Sequence, residues 1–475
     1  MNIIKERYVV IIERIFRLCY LCLVLSTFTS YLYDSPIQLV LVKATLVLGC
    51  IALLLRCFFL KKYIKMPYWV LLALFCVSFA ISAFVNREYG ILENGKWLVW
   101  TAFQMALLYI VDTKRPIQED KKEFRIFSHI IMIFCFFASI ISLWWMISGY
   151  VRIWDTVEQE MLISGFCWGR LWGVFIDPNY GAVLIVISMV LSVYFFLERK
   201  GKLRILYGLN IFLNFLYLIF TDSRSGELCF VVGMSFFVGA WIWKKKEGET
   251  RFKKIGMCLM CVVCLSVVFL GSVRVIKSEY NRQLAPRFAK VFASTDKKEE
   301  KGIKNYKAVD KKSGVGRDKK DLKGDVTNGR IELWKSGVEI WSTSPIFGTG
   351  YTTLLPYIKE HLPDSYAINN EHGEYSNMHN AFVNILVYQG VAGIVLFGIF
   401  TMSVFFYIWK YMWKVKDEDF GYVMCMITCV GCVVISMCVL LEGVYTNSPG
   451  SFVLWSFLGY LVHYGYCQKE EMKTR

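Results

Sequence analysis

The sequence predicts an all-α integral membrane protein with about twelve transmembrane helices and one long extracytoplasmic loop that contains short helices. Of its 475 residues, 56% are hydrophobic and only 19% are charged, and the mean hydropathy is +0.44. Soluble enzymes of this length carry more charge, and disordered chains carry far fewer apolar residues. The composition therefore excludes multi-domain soluble enzymes, disordered proteins and secreted disulfide scaffolds.

Twelve mostly apolar runs determine the predicted number of spans. A helix needs about 20 apolar residues to cross the hydrocarbon core, and helices satisfy their own backbone hydrogen bonds in lipid. The predicted spans are residues 11–32, 37–59, 67–85, 97–111, 126–147, 180–197, 205–220, 228–243, 255–273, 391–409, 422–441 and 452–466. They divide the chain into residues 1–148 with five spans, 149–273 with four, the long loop 274–380, and 381–475 with the last three.

Positive charge is distributed unequally between the two sides of these spans. With a cytoplasmic N-terminus, 29 Lys and Arg residues fall at cytoplasmic ends and loops, whereas five fall in the short outer loops. This asymmetry is typical of the positive-inside rule and predicts that both termini are cytoplasmic. The net charge of +16 reflects this distribution, and we predict no nucleic-acid partner.

The long loop begins with an insertion of unusual composition. In residues 296–325, 18 of 30 side chains are charged, which leaves too few apolar residues for a core. We predict a disordered, solvated spacer. After it, Thr327-Asn-Gly329 supplies helix-capping chemistry, and apolar residues at helical spacing predict an amphipathic helix over residues 330–341 that ends before Pro345.

The loop then turns and returns to the membrane. Gly348 and Gly350 flank Thr349 and predict a turn. Residues 379–390 follow a polar stretch and predict a helix that enters the membrane from outside. An earlier outer segment, residues 149–179, carries several tryptophans, which suit the membrane interface.

Three arginines lie in three separate outer segments: Arg170, Arg224 and Arg330. A guanidinium is costly near hydrocarbon unless it is paired, and its planar fork matches phosphate oxygens two at a time. Arg330 also lies in the first turn of a predicted helix, where a cation opposes the macrodipole unless an anion binds there. A diphosphate is the natural ligand. The alternative is that Arg224 pairs with Asp222 or Asp177 while the other two are solvated.

His379 is the candidate base. It lies just before the helix that enters the membrane, and Asn380, Asn384 and Tyr388 follow at four-residue spacing. A histidine with a pKa near ~6.5 can accept a proton from a hydroxyl at neutral pH. The alternative is a structural or solvated histidine.

Acidic residues close to His379 allow two further interpretations. Glu371 and Glu374 are alternative bases, and together with His372 and His379 they permit a metal site, although their spacing fits no standard ligand pattern. The sequence contains neither a Walker-type phosphate loop nor a cytoplasmic domain, which argues against a sugar-nucleotide donor. A donor carried in the membrane on a lipid phosphate needs neither.

Several of these segments together resemble the family of O-antigen ligases and O-antigen, capsule or exopolysaccharide polymerases. The resemblance covers about residues 165–400. The matching stretches are 170–179 (RLWGVFIDPN), 221–226 (TDSRSG), Arg330 with Trp334 and Pro345, Gly348 with Gly350, and His379-Asn380 with Gly390. Residues 296–325 depart from the family pattern.

The resemblance implies a GT-C-type, inverting glycosyltransferase in the bacterial cytoplasmic membrane, with an extracytoplasmic site and no metal or other cofactor. Its donor is a glycan linked to undecaprenyl diphosphate, and its acceptor is a hydroxyl of a glycan, lipid or protein. The resemblance suggests two protein partners, a chain-length regulator and a flippase. It also implies contact with membrane lipid. Ligase and polymerase remain open.

The resemblance also assigns roles by position. His379 becomes the general base, and Arg224, Arg330 and Arg170 become diphosphate contacts. The supporting residues are Asn380, Asp177, Asn179, Gly348 and Gly350.

A polysaccharide flippase or another multi-span transporter is the alternative from a different functional class. Such proteins carry internal repeats and ionisable residues near the bilayer midplane. No repeat is evident here, Lys43 is the main ionisable residue expected within a span, and the other polar residues collect on the outer side. These observations favour the transferase.

Overall fold

The computed structural model describes residues 2–155, 161–246, 248–286, 314–316, 329–370, 373–412 and 414–474. This part of the chain is a bundle of long helices with a three-stranded sheet at one end. The helices are α1 Asn2–Thr27, α2 Pro36–Phe58, α3 Leu60–Tyr63, α4 Trp69–Val85, α5 Ile91–Phe103, α6 Ile117–Ser148, α7 Pro178–Glu198, α8 Leu203–Thr221, α9 Arg224–Lys245, α10 Arg251–Glu279, α11 Arg330–Thr343, α12 Leu354–His361, α13 Ala381–Met412, α14 Phe420–Met437 and α15 Pro449–Thr474.

A helix occupies most of each predicted span, but not all of these helices qualify as membrane spans by themselves. Among the described residues, eight helices are long and apolar enough to cross a membrane. They are Pro36–Phe58, Ile117–Ser148, Pro178–Glu198, Leu203–Thr221, Arg224–Lys245, Arg251–Leu284, Ala381–Met412 and Asp417–Met437. The protein is thus a mostly helical, multi-pass membrane protein, and the count of twelve spans stays a prediction.

The remaining helices fall short for local reasons. Helix α4 has 17 residues, and α5 has 13 and continues into the π-helical turn Gln104–Tyr109. Helix α1 carries Glu13, Arg14 and Arg17 within its apolar run, and these charges are compensated by other helices. Hydropathy alone therefore undercounts helices whose polar groups are paired inside the protein.

The end of the bundle opposite the sheet contains a buried ionic cluster. Arg17 is completely buried and lies 2.9 Å from Glu123, and Glu13 lies 2.7 Å from Arg56. The expectation that Lys43 is the main buried ionisable residue is wrong. Its side chain is exposed on the outward face of α2, because a buried charge in a span needs a partner.

The small sheet corrects the all-α prediction. Strands β1 Val151–Asp155, β2 Met161–Cys167 and β3 Arg170–Gly173 pair antiparallel in the order β1-β2-β3. The tryptophans of this segment pointed to an interfacial position but not to the pairing of strands. Hydrogen bonds of Val174 with Ser30 (2.9 Å) and of Ile176 with Phe28 (3.3 Å) attach the end of the sheet to the end of α1.

Most of the charged insertion at residues 296–325 lies outside the described residues. Residues 314–316 are described, and they pack against the protein. The Gly316 N–H donates to the Gly169 carbonyl at 3.0 Å, and the Val315 N–H donates to Asn281 Oδ1 at 2.7 Å. The prediction of a solvated spacer does not hold for these three residues, because the apolar Val315 is buried between the sheet and the end of α10.

The helix predicted over residues 330–341 is confirmed as α11, Arg330–Thr343. The N-cap is Gly329, the last residue of the predicted capping stretch, with φ +74° and no side-chain hydrogen bond. Thr327 and Asn328 lie outside the described residues. A Cβ at Gly329 would lie 2.5 Å from the Tyr366 hydroxyl. Glycine therefore suits both the left-handed backbone and the close packing against Tyr366 at the start of α11.

Helix α13 starts at Ala381, two residues later than predicted, and it is interrupted at Gly390, which has φ +62° and ψ −157°. The loop around Gly348 pairs with the interruption through four backbone bonds of 2.8 to 3.1 Å. They join Val391 to Pro345, Ala392 to Ile346, Thr349 to Val387 and Gly350 to Tyr388. Irregular backbone is tolerated at this depth because it is buried in protein and satisfied there.

We expect Gly348→Ala to destabilise the protein by about 2 kcal/mol or more, because its φ of +68° disfavours a side chain. A Cβ would also lie 2.4 Å from the Val387 carbonyl oxygen. Thermal unfolding of the detergent-solubilised protein measures the effect. Gly398→Ala in α13 is the matched control, since nothing lies within 4 Å of its Cβ position. Equal melting temperatures for the two variants would contradict the prediction.

Candidate functional site

His379 lies in the loop that precedes α13 and has a left-handed backbone, with φ +49°. Its buried neighbour Met378 is held from two sides. The Trp334 indole of α11 donates to the Met378 carbonyl at 3.0 Å, and the Met378 N–H donates to Asn384 Oδ1 of α13 at 2.7 Å. The position of the imidazole is therefore determined by α11 and α13 together.

The environment of His379 keeps the imidazole neutral. Burial lowers its pKa below the ordinary value, the Arg330 cation lowers that pKa further, and the Asp177 carboxylate acts in the opposite direction. Among the described residues, Nδ1 is buried and has no hydrogen-bond partner, and the ring packs edge-on against Tyr375 at 5.5 Å. A neutral imidazole beside a cation can accept a proton at neutral pH.

Arg330 is the first residue of α11, as the sequence predicts. The N-terminus of a helix carries a partial positive charge, so a guanidinium there creates a locally cationic region. Because the charge of Arg330 acts on His379, the cationic helix start and the imidazole belong to one site. Such a start favours an anionic ligand.

Arg170 is hydrogen-bonded by protein groups. The alternative in which Arg170 is only solvated is therefore wrong. Its Nε donates to the Thr221 carbonyl at 2.8 Å, and its Nη2 donates to Asn179 Oδ1 at 2.7 Å. Thr221 is the last residue of α8, where carbonyl groups lack helical donors and a cation is favourable. Arg170 therefore connects the end of α8 to the beginning of α7.

Asp177 caps helix α7 while its charge acts on His379. Its carboxylate accepts from the N–H groups of Asn179 and Tyr180 at 2.7 and 2.9 Å. The predicted supporting residues Asp177 and Asn179 thus organise the first turn of α7 at the edge of the site.

Arg224 is the first residue of α9, so it repeats the arrangement of Arg330. Ser223 caps this helix by accepting from the Gly226 N–H at 3.2 Å, and a Cβ at Gly226 would lie 2.5 Å from that of Ala182 in α7. The starts of α9 and α7 are therefore in direct contact. Asp222, one proposed partner of Arg224, forms an ion pair with Lys277 at 2.6 Å.

Asn380, a predicted supporting residue, caps a helix. Its Oδ1 accepts from the N–H groups of Phe382 and Val383 at 3.0 and 3.2 Å and so caps α13. Its Nδ2 donates to the Cys438 carbonyl at 2.9 Å. Gly350 pairs with the interruption of α13 through its N–H, and Gly348 packs closely beside the same backbone.

The alternative bases occupy different situations. Glu374 forms an exposed ion pair with Lys359 at 2.8 Å, whereas Glu371 and His372 lie outside the described residues. Among the described residues, no group of three histidine, cysteine or carboxylate side chains could hold a metal ion.

The sequence interpretation missed the loop between α14 and α15. This loop, residues 438–448, packs inside the bundle, and its Glu442 is 7% exposed and accepts from Asn384 Nδ2 at 2.6 Å. One signal was available: Glu442 interrupts an apolar stretch, and a carboxylate near the end of a span is costly unless it has a function or a partner.

The site therefore combines residues from distant parts of the chain at one end of the bundle. His379 is coupled to Arg330 and Asp177, and Arg170 and Arg224 lie at adjoining helix ends. A family model described as O-Antigen ligase matches residues 209–398. Residues 209–398 are therefore similar to the O-antigen ligase family. This match confirms the resemblance inferred from the motifs.

The O-antigen ligase domain begins within α8 and ends within α13. It contains Arg224, Arg330 and His379, whereas Arg170 and Glu442 lie outside it. The family implies a glycosyl-transferring membrane enzyme with a lipid-linked glycan donor and a glycan acceptor. A search of curated proteins gave no match to this chain.

Proposed function

We propose that this protein transfers a glycan from undecaprenyl diphosphate to an acceptor hydroxyl at the outer face of a bacterial cytoplasmic membrane. One observation carries the proposal: within the matched region, burial and the cation of Arg330 at the start of α11 lower the pKa of the His379 imidazole. A base next to an anion-binding helix start suits displacement of a diphosphate by a hydroxyl.

In the proposed reaction, His379 takes the proton of the acceptor hydroxyl as that oxygen attacks the anomeric carbon. The bond between this carbon and the diphosphate oxygen breaks, and the electron pair leaves with the diphosphate. Arg330 and Arg224, each at the start of its helix, stabilise the developing charge. Attack opposite the leaving group inverts the anomeric configuration. No step uses a metal or nucleotide.

The direction of the chain supports an outer site. Helix α1 runs from the end that holds the ionic cluster towards the sheet. Near the end of α15, Glu471 lies 3.1 Å from Lys416, which precedes α14. These contacts support a site at the end opposite the first turns of α1 and the last turns of α15, and the positive-inside rule assigns those turns to the cytoplasm.

We expect purified protein in liposomes to form glycosidic bonds when supplied with an oligosaccharide linked to polyprenyl diphosphate. Product size distinguishes the two acceptor classes. A ladder of lengthened lipid-linked glycans indicates polymerisation, whereas a single shift of an added acceptor indicates ligation. The measurement is mass spectrometry of the products, with inverted linkages assigned by NMR.

Protein carrying His379→Ala is the control for this reconstitution. If no lipid-linked donor gives glycosidic bonds and the donor moves between leaflets instead, the transferase proposal is refuted and the transporter alternative is supported.

A further inference from the structure

The loop between α14 and α15 is held rigidly beneath His379. Three side chains from three other segments bind it. The Gln104 amide donates to the Thr446 carbonyl at 2.9 Å, the Tyr20 hydroxyl donates to Asn447 Oδ1 at 2.7 Å, and the Trp455 indole donates to the Gly443 carbonyl at 3.1 Å. A loop fixed from α1, α15 and the turn after α5 can serve as a rigid support.

The hydrogen bonds of Glu442 favour an ionised carboxylate. Oε1 accepts from the N–H groups of Val444 and Tyr445 at 3.1 and 3.4 Å, and Oε2 accepts from Asn384 Nδ2 at 2.6 Å. Both oxygens therefore act as acceptors. A protonated carboxyl accepts these hydrogen bonds more weakly, and a glutamine amide would have to direct its NH2 group at one of the donors.

Asn384 transmits this requirement to the loop of His379. While its Nδ2 donates to Glu442, its Oδ1 accepts from the Met378 N–H at 2.7 Å. A reversed amide would place NH2 against the Met378 N–H and oxygen against a carboxylate. The charge of Glu442 thus determines the orientation of the amide, and the amide holds the backbone immediately before the left-handed His379.

We infer that Glu442 is a positioning residue for His379: its ionised carboxylate orients Asn384, which holds Met378 and thereby directs the imidazole into the site. The inference rests on the proposed function. It extends the machinery beyond the matched domain, because Glu442 lies outside residues 209–398.

The surroundings of Glu442 make this support sensitive to acid. Phenols face the carboxylate from each neighbouring element: Tyr180 from α7, Tyr388 from α13 and Tyr445 from the loop itself. Burial raises the pKa of Glu442 to about 7, although hydrogen bonds from Asn384 and the loop backbone oppose the increase. As the pH falls through about 7, the carboxylate gains a proton and the bond to Asn384 weakens.

We expect Glu442→Gln to lower kcat about 10- to 100-fold, the usual effect of losing a hydrogen bond to a charged group. The KM for the lipid-linked donor should change less than about threefold, because the diphosphate contacts remain. The wild-type rate should fall in two steps on acidification, one at Glu442 and one at the lower pKa of His379. The variant should retain only the second step.

Tyr445→Phe is the matched control. It removes the 2.8 Å bond from Gln389 to the Tyr445 hydroxyl, which joins the same loop to the same helix without reaching Met378. Both steps of the pH profile should persist in this variant. A merely structural role for Glu442 predicts that the two variants lose activity alike and that neither changes the pH profile, and this result would overturn the inference.

Two further outcomes are informative. If wild-type protein forms no glycosidic bond, the proposed function fails and not this inference alone. If Glu442→Gln does not fold, Asn384→Ala makes the same test. If neither variant folds, hydrogen exchange of the wild type tests whether the charge of Glu442 holds the loop of His379. Residues 376–380 should exchange faster at pH 6 than at pH 8 after correction for intrinsic rates, and unchanged protection would overturn the inference.

Discussion

His379→Ala should lower kcat for glycan transfer by about 10²- to 10⁴-fold, the usual contribution of a positioned general base. The loss should be catalytic. The described hydrogen bonds of this loop use groups other than the imidazole, including the His379 N–H, which donates to Asn377 Oδ1 at 3.0 Å, and the substitution leaves them in place. Single-turnover rates in proteoliposomes measure the effect, and the melting temperature checks folding.

His361→Ala is the matched control for this variant. His361 is the last residue of α12 and is exposed, and its Nε2 forms a hydrogen bond of 3.0 Å with the Tyr89 hydroxyl. Its removal should leave glycan transfer unchanged. Normal glycan chain lengths in cells that contain only His379→Ala protein would refute the assignment of the base.

Arg330→Lys and Arg330→Gln should each lower kcat/KM by about 10²-fold or more, but with different pH profiles. Lysine cannot replace the planar fork that binds two phosphate oxygens, so transfer falls in both variants. The Arg330 cation lowers the pKa of His379. Glutamine removes that cation, so the pKa should increase and the acidic limb of the profile should move to higher pH. Lysine should leave the limb in place.

Asp177→Asn provides the opposite test of the same electrostatics. The Asp177 carboxylate raises the pKa of His379, so its neutralisation should move the acidic limb to lower pH. Asparagine still caps α7, because its side-chain oxygen accepts the same N–H groups. If the acidic limbs of the pH profiles coincide in wild type, Arg330→Gln and Asp177→Asn, these charges do not act on the catalytic imidazole.

Arg224→Lys should resemble Arg330→Lys in kcat/KM, because Arg224 also begins a helix. Arg152→Lys is the control for both, since Arg152 lies on β1 and stacks on Trp154 at 4.9 Å. A loss with Arg152→Lys as large as with Arg224→Lys would indicate a general effect of arginine removal and not a diphosphate site.

Much of the fold follows from local patterns. A helix occupies most of each apolar run, α11 begins at Arg330 as predicted, and α13 begins at Ala381, two residues after the predicted start. The family could also be recognised, because its motifs are short stretches in a fixed order. Hydropathy, glycine and capping residues act over a few positions, so the chain itself reports them.

The errors arose where distant segments interact. The strands after α6 are recognisable only through their pairing, and the burial of Arg17 depends on Glu123, more than one hundred positions away. Lys43 attracted attention because it lies in an apolar run, yet its face of α2 points outward. Periodicity shows that a helix has faces, but tertiary packing decides which face is buried.

By itself, the sequence determined the class of protein, the order of its helices, the ligase motifs and the cationic starts of two helices, because each is a property of neighbouring residues. Only the tertiary structure decided that Arg170 connects two helices, that Asp177 and Arg330 act on His379, and that Glu442 supports it through Asn384. Most of these relations join residues that are distant in the sequence, such as Asn384 and Glu442 at a separation of 58. They exist only after the helix ends have packed together.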